Sequence, residues 1–416
     1  GMLVLQSALI WGGAFLTYRA YFRQQGGTVA AIFLCLMLFY PPIFGIAGVI
    51  WKDILMWGLL FLAFGITGHI GPPGQQKAMQ AVILTALVIM LLFAAILVRL
   101  NAAITTIPLA ALLFSRVYSG INLRRLFISL IVGGVLAILG LVSAVMLNDT
   151  LSDRKDHAWV ALSLFDVAGV IMKLESREAQ QSLYDRIPEI MRYAETVDAI
   201  PQSYSSRSWH TLFEYEPIAL RYPPRPTHKG SVGKNSFSTL NSTELEQLKQ
   251  LWLSLIHDYP QQLLTHHLDV FSQVLGLTPH RLWTPSMMCT NCFPEELQAR
   301  YGRNPESTYL QEVAEFRIAS LNNHWPFRPW VYLVLTVVII AVSLLRFQIN
   351  TETILLCMSG FLHEFGLFFV APSADFRYSH YLIFATVLSV LLIYRPSLVR
   401  LNRKRLGCSD NKSADG

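Results

Sequence analysis

Apolar residues run almost unbroken through both ends of this 416-residue chain, and the pattern changes in the middle. Several of the runs approach the ~17–25 residues that a helix needs to cross the hydrocarbon layer. They predict about nine spans, at 3–18, 28–50, 54–70, 78–98, 101–115, 126–147, 329–345, 353–371 and 379–394. Between the sixth and seventh, residues 148–328 lose this continuity and show shorter, amphipathic periods. Thr243-Glu244-Leu245-Glu246 has the form of a capping box, and Leu245, Leu248, Leu251, Trp252, Leu255 and Ile256 follow as a helical stripe. Asp258-Tyr259-Pro260 ends that stripe. Pro260 suits the first turn of a second helix carrying Leu264, Leu268, Phe271 and Leu275, so a helical hairpin suited to the membrane surface is expected. Residues 201–240, rich in Pro, Ser, Arg and Tyr, read as an extended excursion. Residues 306–323 read as an amphipathic helix leading into the seventh span.

The expected fold is therefore an all-α polytopic membrane protein with one mainly helical extracytoplasmic domain inserted between spans six and seven. The expected divisions are 1–147, 148–328, 329–395 and a basic tail at 396–416. Composition agrees: 53% of residues are hydrophobic and 14% charged, against roughly 25% charged in soluble proteins.

Charge sets the orientation. Arg19 and Arg23, Lys77, Arg116, Arg124 and Arg125, Arg346 and the tail Arg395, Arg400, Arg403, Lys404 and Arg405 fall on one side if the spans alternate. Positive residues mark the cytoplasmic side, so the C-terminus is cytoplasmic and 148–328 lies outside. Residues 148–328 hold 17 Lys and Arg against 21 Asp and Glu, a net of −4 within the chain's +6, which leaves +10 elsewhere. Basic residues scattered through inter-helix loops do not form a nucleic-acid face. The first span would then run inward from residue 3 with no signal sequence before it, so the native protein is expected to begin earlier, with one or more N-terminal spans preceding Gly1.

Five cysteines are too few for a disulfide scaffold. Cys35 and Cys357 sit inside apolar runs and Cys408 in the tail. Cys289 and Cys292 have the spacing of a local disulfide in an oxidising compartment. Zinc would need two further ligands, and His280 and His324 stand at no diagnostic spacing. His257, His266 and His267 read as surface or packing residues of the hairpin. Asn148-Asp-Thr and Asn241-Ser-Thr match glycosylation sequons, a motif too common to carry weight.

The charges at membrane depth outside the middle segment are Lys52, Asp53, Arg99, Glu364, Asp375 and Arg377. All but Glu364 lie at the outer ends of spans, and Asp375 and Arg377 occupy the short turn Pro372–Tyr378 between the last two. Ionisable residues at such depth are costly and often functional. Converging charges of both signs fit an anionic ligand held by cations, and the planar fork of arginine suits phosphate. Each residue also has a plainer reading: Lys52 and Arg99 as interfacial anchors, Asp53 as a partner of Lys52, and Glu364 with His363 as a pair bridging helices.

Several stretches resemble the bacterial GT-C superfamily of membrane glycosyltransferases, relatives of the protein mannosyltransferases and the aminoarabinose transferase of lipid A. They are Pro41-Pro42 with Gly45, Ile50 and Trp51-Lys52-Asp53; Arg99-Leu100-Asn101 before Pro108; Leu164-Phe165-Asp166-Val167-Ala168-Gly169; Trp252 to Phe271; and Pro372 with Asp375, Arg377 and Tyr378. The resemblance implies an enzyme of the bacterial plasma membrane that moves a sugar from a polyprenyl-phosphate donor to a glycan, lipid or protein acceptor on the outer face, with inversion. It implies Asp53 as a second acidic site residue, the main base belonging to an earlier loop. It makes Arg99 and Arg377 phosphate ligands, with Lys52, Asn101, Glu364, Asp375 and Tyr378 completing the substrate site and Asp375 orienting Arg377 or the sugar. No spacing names a divalent metal, so cofactors stay open. Two alternatives remain: a surface-polysaccharide ligase or polymerase, favoured if His266 or His267 is essential, and a non-catalytic protein that binds or transports a lipid-linked sugar.

Overall fold

The structure is a computed structural model that describes residues 1–23, 27–47, 50–71, 76–117, 123–151, 158–192, 196–213, 219–220, 242–278, 324–345 and 351–393. The predicted helix at 306–323, Cys289 and Cys292, His280, most of 201–240 and the tail at 396–416 lie outside the described residues. Among those described the chain is helical and forms no β-strand; two isolated bridges pair Arg192 with Leu220 and Ser208 with Ser373.

The helices are α1 (Met2–Thr17), α2 (Gly27–Phe39), α3 (Pro41–Ala47), α4 (Lys52–Thr67), α5 (Ala78–Val98), α6 (Ala102–Val117) and α7 (Leu123–Leu151). There follow α8 (Ala158–Ile171), α9 (Arg177–Asp185), α10 (Ala199–Ser203), α11 (Ser242–Asp258) and α12 (Pro260–Val274), then α13 (Pro329–Leu345), α14 (Thr351–Val370) and α15 (Phe376–Ile393). Four are long and apolar enough to cross a membrane: α5, α7, α14 and α15. In α7 the apolar stretch has a mean hydropathy of 2.7, yet only 17% of it is buried within the protein. An exposed surface that apolar matches lipid as its solvent. Other predicted spans appear as shorter helices, such as the 16-residue α1, α4 and α6 and the 17-residue α13. The span expected over 28–50 is two helices, because Pro41 and Pro42 supply no backbone N–H to continue α2 past Tyr40 and instead open α3.

The chain divides into two compact units. The first comprises 1–150, 284–366 and 376–416, and the second 151–283 and 367–375. The second unit thus includes residues 367–375, from beyond α13. In the first unit α1 packs along α4, α4 along α5, and α13 along α15. In the second, α8 is the central element. Val160, Leu164, Phe165, Val167, Ala168 and Ile171 are all buried on it, and α11 contributes Leu248, Leu251 and Leu255 to the same core. A 14-residue helix, apolar but for Ser163 and Asp166 and buried along its length, fits a domain core rather than a span. Two caps fix the ends of its neighbours. Ser176 Oγ accepts from Ala179 N at 3.1 Å to start α9. Gly276, at φ 68°, ends α12 in a Schellman turn, with Leu277 N donating to Ser272 O and Gly276 N to Gln273 O, both at 3.0 Å. Main-chain pairing holds residues 372–374 in this unit: Trp209 N donates to Pro372 O at 3.0 Å and Ala374 N to Arg207 O at 2.8 Å.

Candidate functional site

In the first unit, Asp53 occupies the first turn of α4, behind an extended Trp51. The unpaired N–H groups and dipole of a helix start favour a carboxylate there. Arg99 is the first residue past α5, and Arg377 is the second residue of α15. Both reach Asp53. Arg99 Nε donates to Oδ1 at 2.9 Å, Arg99 Nη2 donates to the same oxygen, and Arg377 Nε stands 3.9 Å from Oδ2. Aromatic rings flank the pair: the Arg377 guanidinium lies 4.8 Å from the Trp51 ring centre and 5.1 Å from that of Tyr378, and Arg99 lies 5.6 Å from Tyr378. The Asp53 side chain is 9% exposed, while Arg99 and Arg377 retain 29% and 28%. Two guanidinium groups gather at one carboxylate with part of each fork open to solvent, and planar forks so placed suit an anion such as phosphate.

The other predicted residues fall around this set at different distances from its chemistry. Tyr378 is buried and forms part of the aromatic wall; Lys52 beside Asp53 is exposed; Asn101 is half-buried in the turn where Ala102 N donates to Arg99 O at 2.8 Å. Glu364 is fully buried on α14 and accepts from Ser379 Oγ of α15 at 2.8 Å, while its Oε2 has no hydrogen-bond partner among the described residues. Its neighbour His363 bonds the Tyr378 carbonyl through Nε2 at 2.9 Å and Thr105 Oγ1 through Nδ1 at 3.1 Å. Since a carbonyl only accepts, Nε2 carries the proton, and in the neutral ring Nδ1 accepts from the threonine. Glu364 and His363 thus fix the first turn of α15, from which Arg377 projects. Asp375 is buried, its N–H donates to Ser373 O at 3.0 Å, and it belongs to the second unit.

The second unit contains a polar cluster that periodicity did not reveal. Asp166 is buried in apolar α8. Its Oδ2 accepts from Trp252 Nε1 at 2.7 Å and its Oδ1 from His266 Nε2 at 3.2 Å. With Nε2 donating to the carboxylate, His266 Nδ1 is the acceptor for the Tyr204 hydroxyl at 2.8 Å. Burial, with Asp269 and Asp166 near, raises the Tyr204 pKa above that of a free phenol, so the hydroxyl stays a donor. His267 Nε2 stands 3.9 Å from Asp166 Oδ2, and burial pulls its pKa below the usual histidine value despite the nearby carboxylate. The sequence admits this cluster through Gly169. A Cβ there would lie 2.0 Å from His266 Nδ1, so only glycine leaves room for the ring. Asp166 and Gly169 stand three residues apart on one face of α8. That pair, an acid and a glycine inside an apolar helix, was the readable signal.

Among the described residues no group of three or more His, Cys, Asp or Glu is placed to hold a metal ion. Among the described residues the fold is all-helical, with four helices able to cross a membrane and two separate polar clusters. Compared with known protein families, curated proteins and solved structures, the chain matches none.

Proposed function

We propose that this chain is an integral membrane glycosyltransferase that takes a sugar from a polyprenyl-phosphate donor at the outer face and transfers it to a glycan, lipid or protein acceptor. The observation that carries the reading is the convergence of Arg99 and Arg377 on Asp53, with both forks partly open. In this reading the two guanidinium groups take the donor phosphate and stabilise it as it leaves with the electron pair of the broken sugar–phosphate bond. Asp53, already accepting two N–H groups from Arg99, holds the forks in place. Trp51 and Tyr378 form an aromatic wall, and Lys52 adds potential at the rim. The proposed topology has nine spans, the cytoplasmic tail and an extracytoplasmic second unit, as charge placement implies.

The test is binding and transfer with polyprenyl-phosphate sugars, measured for the full chain in detergent and for Arg377→Gln and Arg99→Gln. Loss of lipid binding with folding retained supports the reading; unchanged binding in both variants sinks it.

A second reading, a surface-polysaccharide ligase or polymerase, is favoured by the Tyr204–His266–Asp166 chain. It is the arrangement of a general base backed by a carboxylate. The two readings separate on variants: His266→Gln abolishing turnover with lipid binding intact favours the second, and dependence on Arg377 without dependence on His266 favours the first.

A further inference from the structure

On α12, Leu264, Leu268, Phe271 and Leu275 recur at i, i+4, i+7 and i+11 and lie along one stripe. The stripe has two different halves. Toward its C-terminal end, Phe271 meets Phe368 edge to face at 5.5 Å between ring centres, and neighbouring His267 lies 5.7 Å from Phe368 and 6.5 Å from Phe369. Phe368 and Phe369 sit in the last turn of α14, one of the four helices able to cross a membrane. Toward its N-terminal end, Leu264 and Leu268 are 51% and 52% exposed. They do not face the domain core, which α12 meets through His266, Val270 and Val274.

The 20 residues of α14 match the thickness of the hydrocarbon layer, which places its final turn at the boundary with the headgroups. A helix packed on that turn lies at the same level. Phe369 and Val370 remain 50% and 41% exposed beside it, so the exposed apolar surface at the end of α14 continues onto α12. We propose that the Leu264–Leu268 face of α12 is an interfacial membrane element, seated in the headgroup and acyl boundary of the leaflet where α14 ends. Its occupant is lipid. The side chains flanking the stripe, Gln261, Thr265 and Asp269, carry no positive charge, so apolar insertion rather than attraction to anionic headgroups holds it there. One consequence is functional: His266 lies on the core side of this same helix, so the Tyr204–His266–Asp166 chain stands about one helix width, roughly 10 Å, from the lipid surface. The placement holds whichever reaction the chain performs.

The test uses the full chain in nanodiscs of phosphatidylcholine bearing an acyl-chain diazirine, with adducts mapped by mass spectrometry after illumination. Adducts are expected at Leu264 and Leu268 at a yield within a few-fold of those on the exposed apolar face of α7, and none at exposed Lys249 of α11. A Leu264→Asp, Leu268→Asp double variant should lose the α12 adducts and keep those on α7, which shows that the spans remain inserted. Adducts on α7 with none on Leu264 or Leu268 would overturn the proposal. So would shielding of both leucines from lipid and from a water-soluble carbene reagent, because protein, a second copy or another stretch of this chain, would then cover the face.

Discussion

Substituting Gly169 by alanine should break the second unit through a side chain 97 residues away, that of His266. The added Cβ would stand 2.0 Å from His266 Nδ1, 2.3 Å from Cγ and 2.4 Å from Cε1, so the ring must leave. Displacing it forfeits the bond to the Asp166 carboxylate, about 1.5–3 kcal/mol, and the bond from the Tyr204 hydroxyl, about 0.5–1.5 kcal/mol. Against this, alanine in place of glycine inside a helix stabilises by up to about 1 kcal/mol. The net expectation is a loss of about 1–3.5 kcal/mol, and the sign depends wholly on the ring being present. In a His266→Ala background the obstruction is gone, so Gly169→Ala should be neutral or stabilising by up to about 1 kcal/mol. The cycle of single and double variants should therefore show a coupling of about 2 kcal/mol or more, well above the additivity expected of independent sites. The assay is denaturant unfolding of the full chain in detergent, followed by pulse proteolysis of the second unit. Equal costs of Gly169→Ala in both backgrounds, or no cost in the wild type, would refute the placement of His266 over Gly169.

Three further outcomes follow from named groups. Trp252→Phe removes the N–H that satisfies Asp166 Oδ2 and should cost about 1.5–3 kcal/mol in the same unfolding assay. Burial depresses the His267 pKa, so the folded ring stays neutral where the unfolded one, at about 6.5, takes a proton. Stability from this group is therefore full above the unfolded pKa and falls as pH drops through the folded one. His267→Gln should flatten the decline in thermal midpoint between about pH 7.5 and about pH 5.5, and an unchanged slope would remove His267 as its source. Arg377→Gln and Arg99→Gln each remove a charge-assisted donor and should weaken polyprenyl-phosphate binding about 10- to 100-fold, read by native mass spectrometry.

What the sequence disclosed depended on how locally each interaction is encoded. Asp53, Arg99 and Arg377 stand out because charge at the end of an apolar run is conspicuous without any fold. Their pairing is not conspicuous. Arg377 stands 3.9 Å from Asp53, more than 300 residues earlier, because both sit in the first turns of helices, α4 and α15, that pack against each other. Pro41 and Pro42 were equally visible, yet continuous hydropathy over 28–50 masked the break they impose, since hydropathy measures solvent preference and not backbone hydrogen bonding. His266 was hidden for a different reason. The sequence offers His266 as a surface or a packing residue of the hairpin, and nothing local chooses between the two. In the structure it packs: His266 is fully buried against α8, while Leu264 and Leu268 are exposed. Periodicity finds a face that avoids water, and in a chain that meets both a protein core and a membrane it does not say which of the two receives that face. A buried polar side facing Asp166 and an apolar side continuing the surface of α14 are what a helix at such a boundary requires. The Leu264–Leu268 stripe and the Asp166–His266 bond are therefore two consequences of one position, and an exposed stripe found in water would undo the explanation for both.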